Sequence, residues 1–330
     1  MFNTLQQNFC SPLTLAFGLG IVAKLIRSDL ALPRDAYSTL SIYLLLALGL
    51  KGGVELSHAA LSEVWAPALA TLALGVITPL TSYAVLRKFG RFDAADAAGI
   101  AAHYGSVSAV TFIAAQQFAL SQGMPAEGYM STLLTLLESP GIHIALLIGA
   151  LQSSRDRLAV DAPAPRPTAE VVHEILASRS MVLLVGGLVI GYLTGPTGYE
   201  PVKPFFEGLF KGVLTIFLLE MGVMAAARLG DLRAVGVFLI GFGILMPIFH
   251  GALAVMLGHA VGMSVGGSAV LGAMAASASY IAAPPAVRMT LPQANPTYYL
   301  TASLAITFPF NLLAGIPLYF AFARWLGSGG

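Results

Sequence analysis

Apolar stretches of roughly twenty residues recur along this whole 330-residue chain, parted by short polar punctuation. They fall at 11–27, 38–56, 64–86, 94–121, 129–152, 178–194, 205–227, 234–259, 266–290 and 299–325. A helix rises 1.5 Å per residue, so about 20 residues cover the ~30 Å hydrocarbon core of a bilayer. Ten such stretches leave little chain for anything else, and only helices satisfy their own backbone groups in lipid without closing a barrel. Charged residues make up 10% of the chain, against ~25% in a soluble domain, too few to cover a water-facing surface. An ordinary soluble enzyme, a disordered chain and a disulfide scaffold are thereby excluded. The single cysteine, Cys10, permits no intrachain disulfide, and zinc-ligand spacing is absent. A net charge of +1 with no basic block offers nothing to nucleic acid. The first residues lack a basic n-region, so no cleaved signal peptide is expected.

Lysine and arginine set an orientation. With the N-terminus outside, thirteen of them fall in cytoplasmic segments and three (Lys203, Lys211 and Arg324) in outer ones, with Lys51 inside the second span. This bias obeys the positive-inside rule and places both termini outside a bacterial inner membrane in a multi-pass protein. Residues 153–177 form a proline-spaced cytoplasmic linker, with a short amphipathic helix expected near His173 and Glu174. The linker separates a first five-helix unit, 1–152, from a second, 178–330.

The two units look alike. The segment from Gly49 to Leu56 lines up with Gly222 to Leu229, Gly75 to Pro79 with Gly243 to Pro247, and Gly99 to Ser106 with Gly272 to Ser279. An odd number of spans per unit makes the second enter the membrane upside down. That is the inverted repeat of secondary transporters, whose sites lie at the midplane between discontinuous helices.

Interruptions occur at corresponding places. The fourth span carries Gly105, Ser106, Val107, Ser108 and Thr111; the ninth carries Ser277, Ala278, Ser279 and Tyr280, followed by Pro284 and Pro285. Proline lacks the N–H a helix interior needs, and glycine relaxes the backbone. A broken helix exposes amide N–H groups and partial positive charge at its new N-terminus, an arrangement that binds anions without a buried lysine or arginine. The freed carbonyls and hydroxyls also suit sodium, with Ser108 and Ser279 as the candidate oxygens. Small hydroxylated residues equally serve close helix packing. Ionisable residues deep in spans mark internal pathways; here Lys51, Glu138 and Glu220 are the candidates for ion coupling, with Lys51 placed to pair with one of the carboxylates. His103 and His143 read as hydrogen-bonded packing residues. No nucleophile elbow, HExxH or Walker loop is present, so a non-enzyme without a cofactor is expected.

At these motifs the chain resembles the cyanobacterial-type sodium-dependent bicarbonate transporter family. The most specific stretches are Gly49-Leu50-Lys51-Gly52-Gly53, Gly105 through Thr111, Ala275 through Ser279 with Pro284-Pro285, and Leu291 through Tyr299. The resemblance implies an all-α polytopic fold of ten transmembrane helices in a 5+5 inverted repeat with two crossed discontinuous helices, similar to bile-acid symporters and sodium/proton antiporters. It implies bicarbonate held at the crossing by serines and backbone amides, which carries over to Gly105, Ser106, Val107, Ser108, Thr111, Ser277, Ala278, Ser279 and Tyr280. It also implies a homotrimer and a PII-like cytosolic regulator. Photosynthetic members carry Ser-Ser-Asp in the second break, where this chain has Tyr280 at the end of its run. The expected activity is import of bicarbonate coupled to sodium as co-substrate. The alternative is transport of another small anion or monocarboxylate, sodium-independent or proton-coupled; a third reading, from a different class, is a non-transporting sensor or scaffold.

Overall fold

The computed structural model describes residues 11–156, 177 and 179–328. Cys10, most of the linker and the helix expected near His173 and Glu174 lie outside the described residues. Among the described residues the chain is helical, with no strand. Seven stretches are long and apolar enough to cross a membrane, which makes this a polytopic membrane protein.

Local chemistry explains the helix ends. Helix α1, Pro12–Leu25, opens with proline at its first position, and the Ser11 hydroxyl accepts from the Thr14 N–H at 3.2 Å. Helix α2, Arg34–Leu56, follows Pro33 and carries Asp35 in its first turn. Helix α3, Leu61–Lys88, ends on Arg87 and Lys88. Asp93 caps α4, Ala94–Tyr104, by accepting from the Asp96 N–H at 2.8 Å. After a gap comes α5, Ala109–Ser121. Helices α6, Met130–Glu138, and α7, Pro140–Asp156, divide the fifth apolar stretch at Ser139.

Helix α8 covers Arg179–Tyr199, and Gly195 bends it with φ 57°, a conformation that favours glycine. Helices α9, Phe210–Ala227, and α10, Leu232–Ala260, are joined by a short 3₁₀ turn, Leu229–Asp231. A single straight helix over Phe210–Ala260 would measure about 76 Å, more than twice the hydrocarbon thickness; the 3₁₀ turn and a second break at Gly236, φ 75°, interrupt it. Helix α11, Val265–Ala275, is separated by another gap from the short α12, Ala283–Thr290. The last helix, α13, runs Pro296–Ser328 and contains two π-helical stretches, Thr301–Thr307 and Asn311–Gly315.

Packing follows glycine. Helix α1 lies on α9, and α2 on α8. A Cβ added at Gly20 would fall 2.0 Å from the Leu219 carbonyl oxygen, and one at Gly222 would fall 2.0 Å from that of Phe17. On the other pair, a Cβ at Gly53 would meet the Leu188 oxygen at 2.1 Å, and one at Gly191 the Leu50 oxygen at 2.1 Å. These helices touch backbone to backbone, where dispersion rather than the hydrophobic effect drives association in lipid. Helix α4 packs on α3 and α7, and α11 on α10 and α13. Two apolar clusters result. One gathers around α5, α6 and α11 with Tyr280; the other gathers around α4, α7 and α12 with Ala278. Both chain gaps lie at the seam between them.

Candidate functional site

The gap after α4 and the gap after α11 are of one kind. Asp93 and Ser264 cap the two helices, and Tyr104 and Ala275 end them. Both pairs of positions differ by 171, which sets Ser106 against Ser277 and Ser108 against Ser279. The glycine-matched register of the sequence, Gly99 with Gly272, is two residues away from this one. Helices made of glycine and alanine match themselves at several offsets, whereas their ends do not.

Ser108 and Ser279 each accept from amides ahead of them in the chain. The Ser108 hydroxyl accepts from the Thr111 N–H at 3.2 Å and starts α5. The Ser279 hydroxyl accepts from the Ala282 and Ala283 N–H groups at 3.2 and 3.4 Å, just ahead of α12, whose own cap position is Ala282. Each hydroxyl satisfies donors that a helix start leaves open.

The two gaps are bonded to each other. The Ser108 N–H donates to the Ser277 hydroxyl at 2.8 Å, and the Ser279 N–H donates to the His103 carbonyl at 2.8 Å. The Ser108 hydroxyl lies 3.3 Å from the Tyr280 hydroxyl and donates to it, while the Ser277 hydroxyl donates to the Met274 carbonyl at 2.7 Å. Every one of these residues is buried. Ser106 turns elsewhere, donating to the Glu138 carbonyl at 2.7 Å. Gly105 is required by contact: a Cβ on it would fall 2.7 Å from Pro79, and one on Gly141 would fall 1.9 Å from the Gly105 oxygen. The gap after α4 therefore rests directly on the start of α7.

Val107, Ser108, Ser279 and Tyr280 line one small cavity together with Glu138, Leu45, Ala109, Ile281 and Ala282. Its volume of ≈ 20 Å³ admits about one water-sized molecule and no larger anion, so this conformation is closed around the site. Among the first amides of α5, those of Thr111 and Phe112 are taken by Ser108. The Ala109 and Val110 amides remain for a ligand, at an end carrying about half a positive charge. Helix α12 has fewer donors to offer, because Ser279 takes two and Pro284 and Pro285 have none. Ala278 packs in the apolar cluster beside the gap, and the buried Thr111 hydroxyl finds no hydrogen-bond partner.

The charged candidates separate. Glu138 is 5% exposed and lines the cavity. Glu220 is buried elsewhere, where it accepts from the Leu32 N–H at 2.9 Å in the connection between α1 and α2. Lys51 is exposed on the surface of α2 and does not pair with Glu220. Gly49 and Gly53 claim the face of α2 against α8, and Gly52 the face against Ser131. Lys51 is half a turn or more from Gly49 and Gly53, so its expected place in the interior is corrected. His103 and His143 are packing residues as read: His103 bonds the Gly99 carbonyl at 2.7 Å and stacks on Tyr299, and His143 bonds Ser139. No group of three or more His, Cys, Asp and Glu fit to hold a metal ion occurs among the described residues.

Two participants were not singled out in the sequence. Asn311, in the second π-helical stretch, donates to the Ala276 carbonyl freed at the α11 gap at 2.8 Å and accepts from the Tyr319 hydroxyl at 3.0 Å. The His103 carbonyl is a backbone group that any residue supplies. A polar residue inside an apolar span was the available cue for Asn311.

The family model described as the Na+-dependent bicarbonate transporter superfamily matches residues 12–324. No curated protein matches the chain. A match over nearly all of the 330 residues places the chain in that superfamily.

Proposed function

We propose that this member of the Na+-dependent bicarbonate transporter superfamily imports bicarbonate with sodium, holding the anion where the two chain gaps meet. The single observation that carries the reading is the pair of serine hydroxyls, Ser108 and Ser279, accepting amide N–H groups where α5 and α12 begin, in gaps bonded to each other through Ser108 and Ser277.

The architecture behind the proposal is ten crossings in two inverted five-helix repeats, the second inserted upside down. Counting α9 and α10 separately adds one crossing to the seven, and α1 and the α11–α12 pair supply two more. The packing supports it. Exchanging the halves takes the α1–α9 pair into α8–α2, and takes α4 on α3 and α7 into α11 on α10 and α13. Within the glycine contacts, Gly222 approaches Phe17 as Gly49 approaches Leu184. Both termini outside the inner membrane, on the strength of the lysine and arginine bias, and a homotrimer and a PII-like regulator, on the strength of the resemblance, complete the proposal.

The chemistry is electrostatic. The Ala109 and Val110 amides and the Ser108 and Ser279 hydroxyls coordinate the anion in a water-poor site, where such donors act more strongly than in water. Moving a lone anion into a cell at an inside-negative potential costs about 2.3 kcal/mol per 100 mV. One sodium held by Ser108 and Ser279 makes the loaded site neutral and removes that cost. Because the closed cavity is far smaller than bicarbonate, loading requires the two gaps to part.

Uptake of labelled bicarbonate into proteoliposomes, with and without a sodium gradient, tests the reading. Uptake that needs sodium is expected; absence of uptake in both conditions removes bicarbonate, and indifference to sodium removes the coupling. A second reading, transport of a monocarboxylate or another small anion coupled to protons, rests on the Tyr280 hydroxyl and Glu138 at the cavity wall. Competition by unlabelled monocarboxylates and uptake driven by a pH step separate it from the first.

A further inference from the structure

A second cavity, ≈ 420 Å³, lies between α1, α5, α9 and α13. Its volume is that of a small-molecule site. Gln117, Ser121 and Gln122 line one wall, Thr14, Thr215 and Lys211 the other. Lys211 is the only charged residue among the described residues that line it, and its ammonium pairs with no carboxylate among the described residues. A cavity with one fixed cation, several amide and hydroxyl groups and no carboxylate attracts anions.

The cavity reaches down α5 as far as Ala114. Six residues of helix, about 9 Å, separate Ala114 from the cap Ser108. Between them, on the same face by three-residue steps, stands Thr111, 2% exposed, with no hydrogen-bond partner for its hydroxyl. An unsatisfied buried hydroxyl is costly and calls for a partner in another state of the molecule.

We propose that this cavity is the entrance for the transported anion, that Lys211 captures it there, and that Thr111 hands it down α5 to the gap at Ser108. This rests on the anion-transport reading above and adds its route.

The test uses the full chain with Cys10→Ser as background and single cysteines at Ser121 and Thr111. Inside-out and right-side-out vesicles are treated with impermeant methanethiosulfonates, one anionic and one cationic. Modification from one side only is expected at Ser121→Cys, faster with the anionic reagent, slowed by bicarbonate and equalised between reagents by Lys211→Gln. Thr111→Cys is expected to react from the same side, more slowly. No modification at either position, or a faster cationic reagent, overturns the route. This arm needs no transport, so it decides the route even if bicarbonate uptake fails. In the uptake arm, Lys211→Gln is expected to raise KM about three-fold with little change in kcat, and Lys211→Arg to restore it. Wild-type KM in Lys211→Gln, with uptake intact, overturns the capture role while leaving the function standing.

Discussion

The backbone N–H of Ser108 and the hydroxyl of Ser277, 169 positions apart, meet at 2.8 Å in the buried centre of the molecule. One hydrogen bond thereby joins the two chain gaps, and the same Ser277 hydroxyl donates onward to Met274. Ser277→Ala leaves the Ser108 N–H buried without an acceptor, which costs about 1–3 kcal/mol. Ser279→Ala removes the acceptor of the Ala282 and Ala283 N–H groups ahead of α12 for about 1 kcal/mol. Both variants are expected to unfold at lower temperature in detergent and to lose roughly five-fold or more of uptake, since 1.4 kcal/mol of lost site energy is tenfold. Wild-type uptake in both would remove the gaps from the transport path.

Glycines of the packed α2–α8 pair make opposite predictions. A methyl at Gly187 would come 3.0 Å from the Gly49 Cα, and one at the facing Gly53 would come 2.1 Å from the Leu188 oxygen, whereas Gly186 has open space. Gly53→Ala forces α2 and α8 apart and is expected to cost about 1–3 kcal/mol. Gly186→Ala is expected to be neutral or to stabilise by up to about 1 kcal/mol through helix propensity. Thermal unfolding followed by Trp65 and Trp325 fluorescence compares the two.

How far the sequence foretells this molecule depends on the kind of signal. Span length and polarity are properties of the chain itself, and each apolar stretch read there holds one of the observed helices or a broken pair of them. The gaps at Ser106 to Ser108 and Ser277 to Ser279 were equally legible, because proline and glycine act on the local backbone. The match of Gly99 with Gly272 lay two residues from the one the ends of α4 and α11 give, since glycine and alanine repeat too often to align by type. The Asn311 contact to Ala276 and the His103 carbonyl contact to Ser279 depend on which helices adjoin in space. Lys51 shows the same boundary from the other side. Its depth in the span was readable, but its direction follows from the glycine faces of α2, which become informative only once their partners are known.

Tyr280 stands where the resemblance calls for a carboxylate. Its ring meets Phe308 edge-on at 5.5 Å and its hydroxyl lies 3.3 Å from that of Ser108. Tyr280→Phe keeps the ring contact and is expected to change stability by less than about 1.5 kcal/mol, the worth of one hydrogen bond. Tyr280→Asp brings a carboxylate beside Ser108 and Ser279 and is expected to lower the sodium concentration for half-maximal uptake about tenfold, as hard oxygen charge does for a hard cation. Equal sodium dependence in wild type, Tyr280→Phe and Tyr280→Asp would place cation coupling away from this side chain.

His250 is fully buried in α10, and its Nε2 lies 2.8 Å from the Thr81 hydroxyl of α3 while its Nδ1 has no partner. Thr81→Val removes the one bond to the ring and leaves a buried polar nitrogen, for about 1–3 kcal/mol. His250→Leu leaves the Thr81 hydroxyl its bond to the Ile77 carbonyl at 2.7 Å and so is expected to cost less. Replacing both partners by apolar groups of similar shape recovers much of the loss, so the double variant is expected to be more stable than Thr81→Val alone, with a coupling of about 0.5–3 kcal/mol. The same double variant tests whether the buried imidazole takes part in coupling. Coupling to sodium at Ser108 and Ser279 does not involve the imidazole, and uptake should persist in a folded Thr81→Val/His250→Leu protein. Folded double-variant protein with no uptake would show that the Thr81–His250 pair is needed for transport beyond its part in stability.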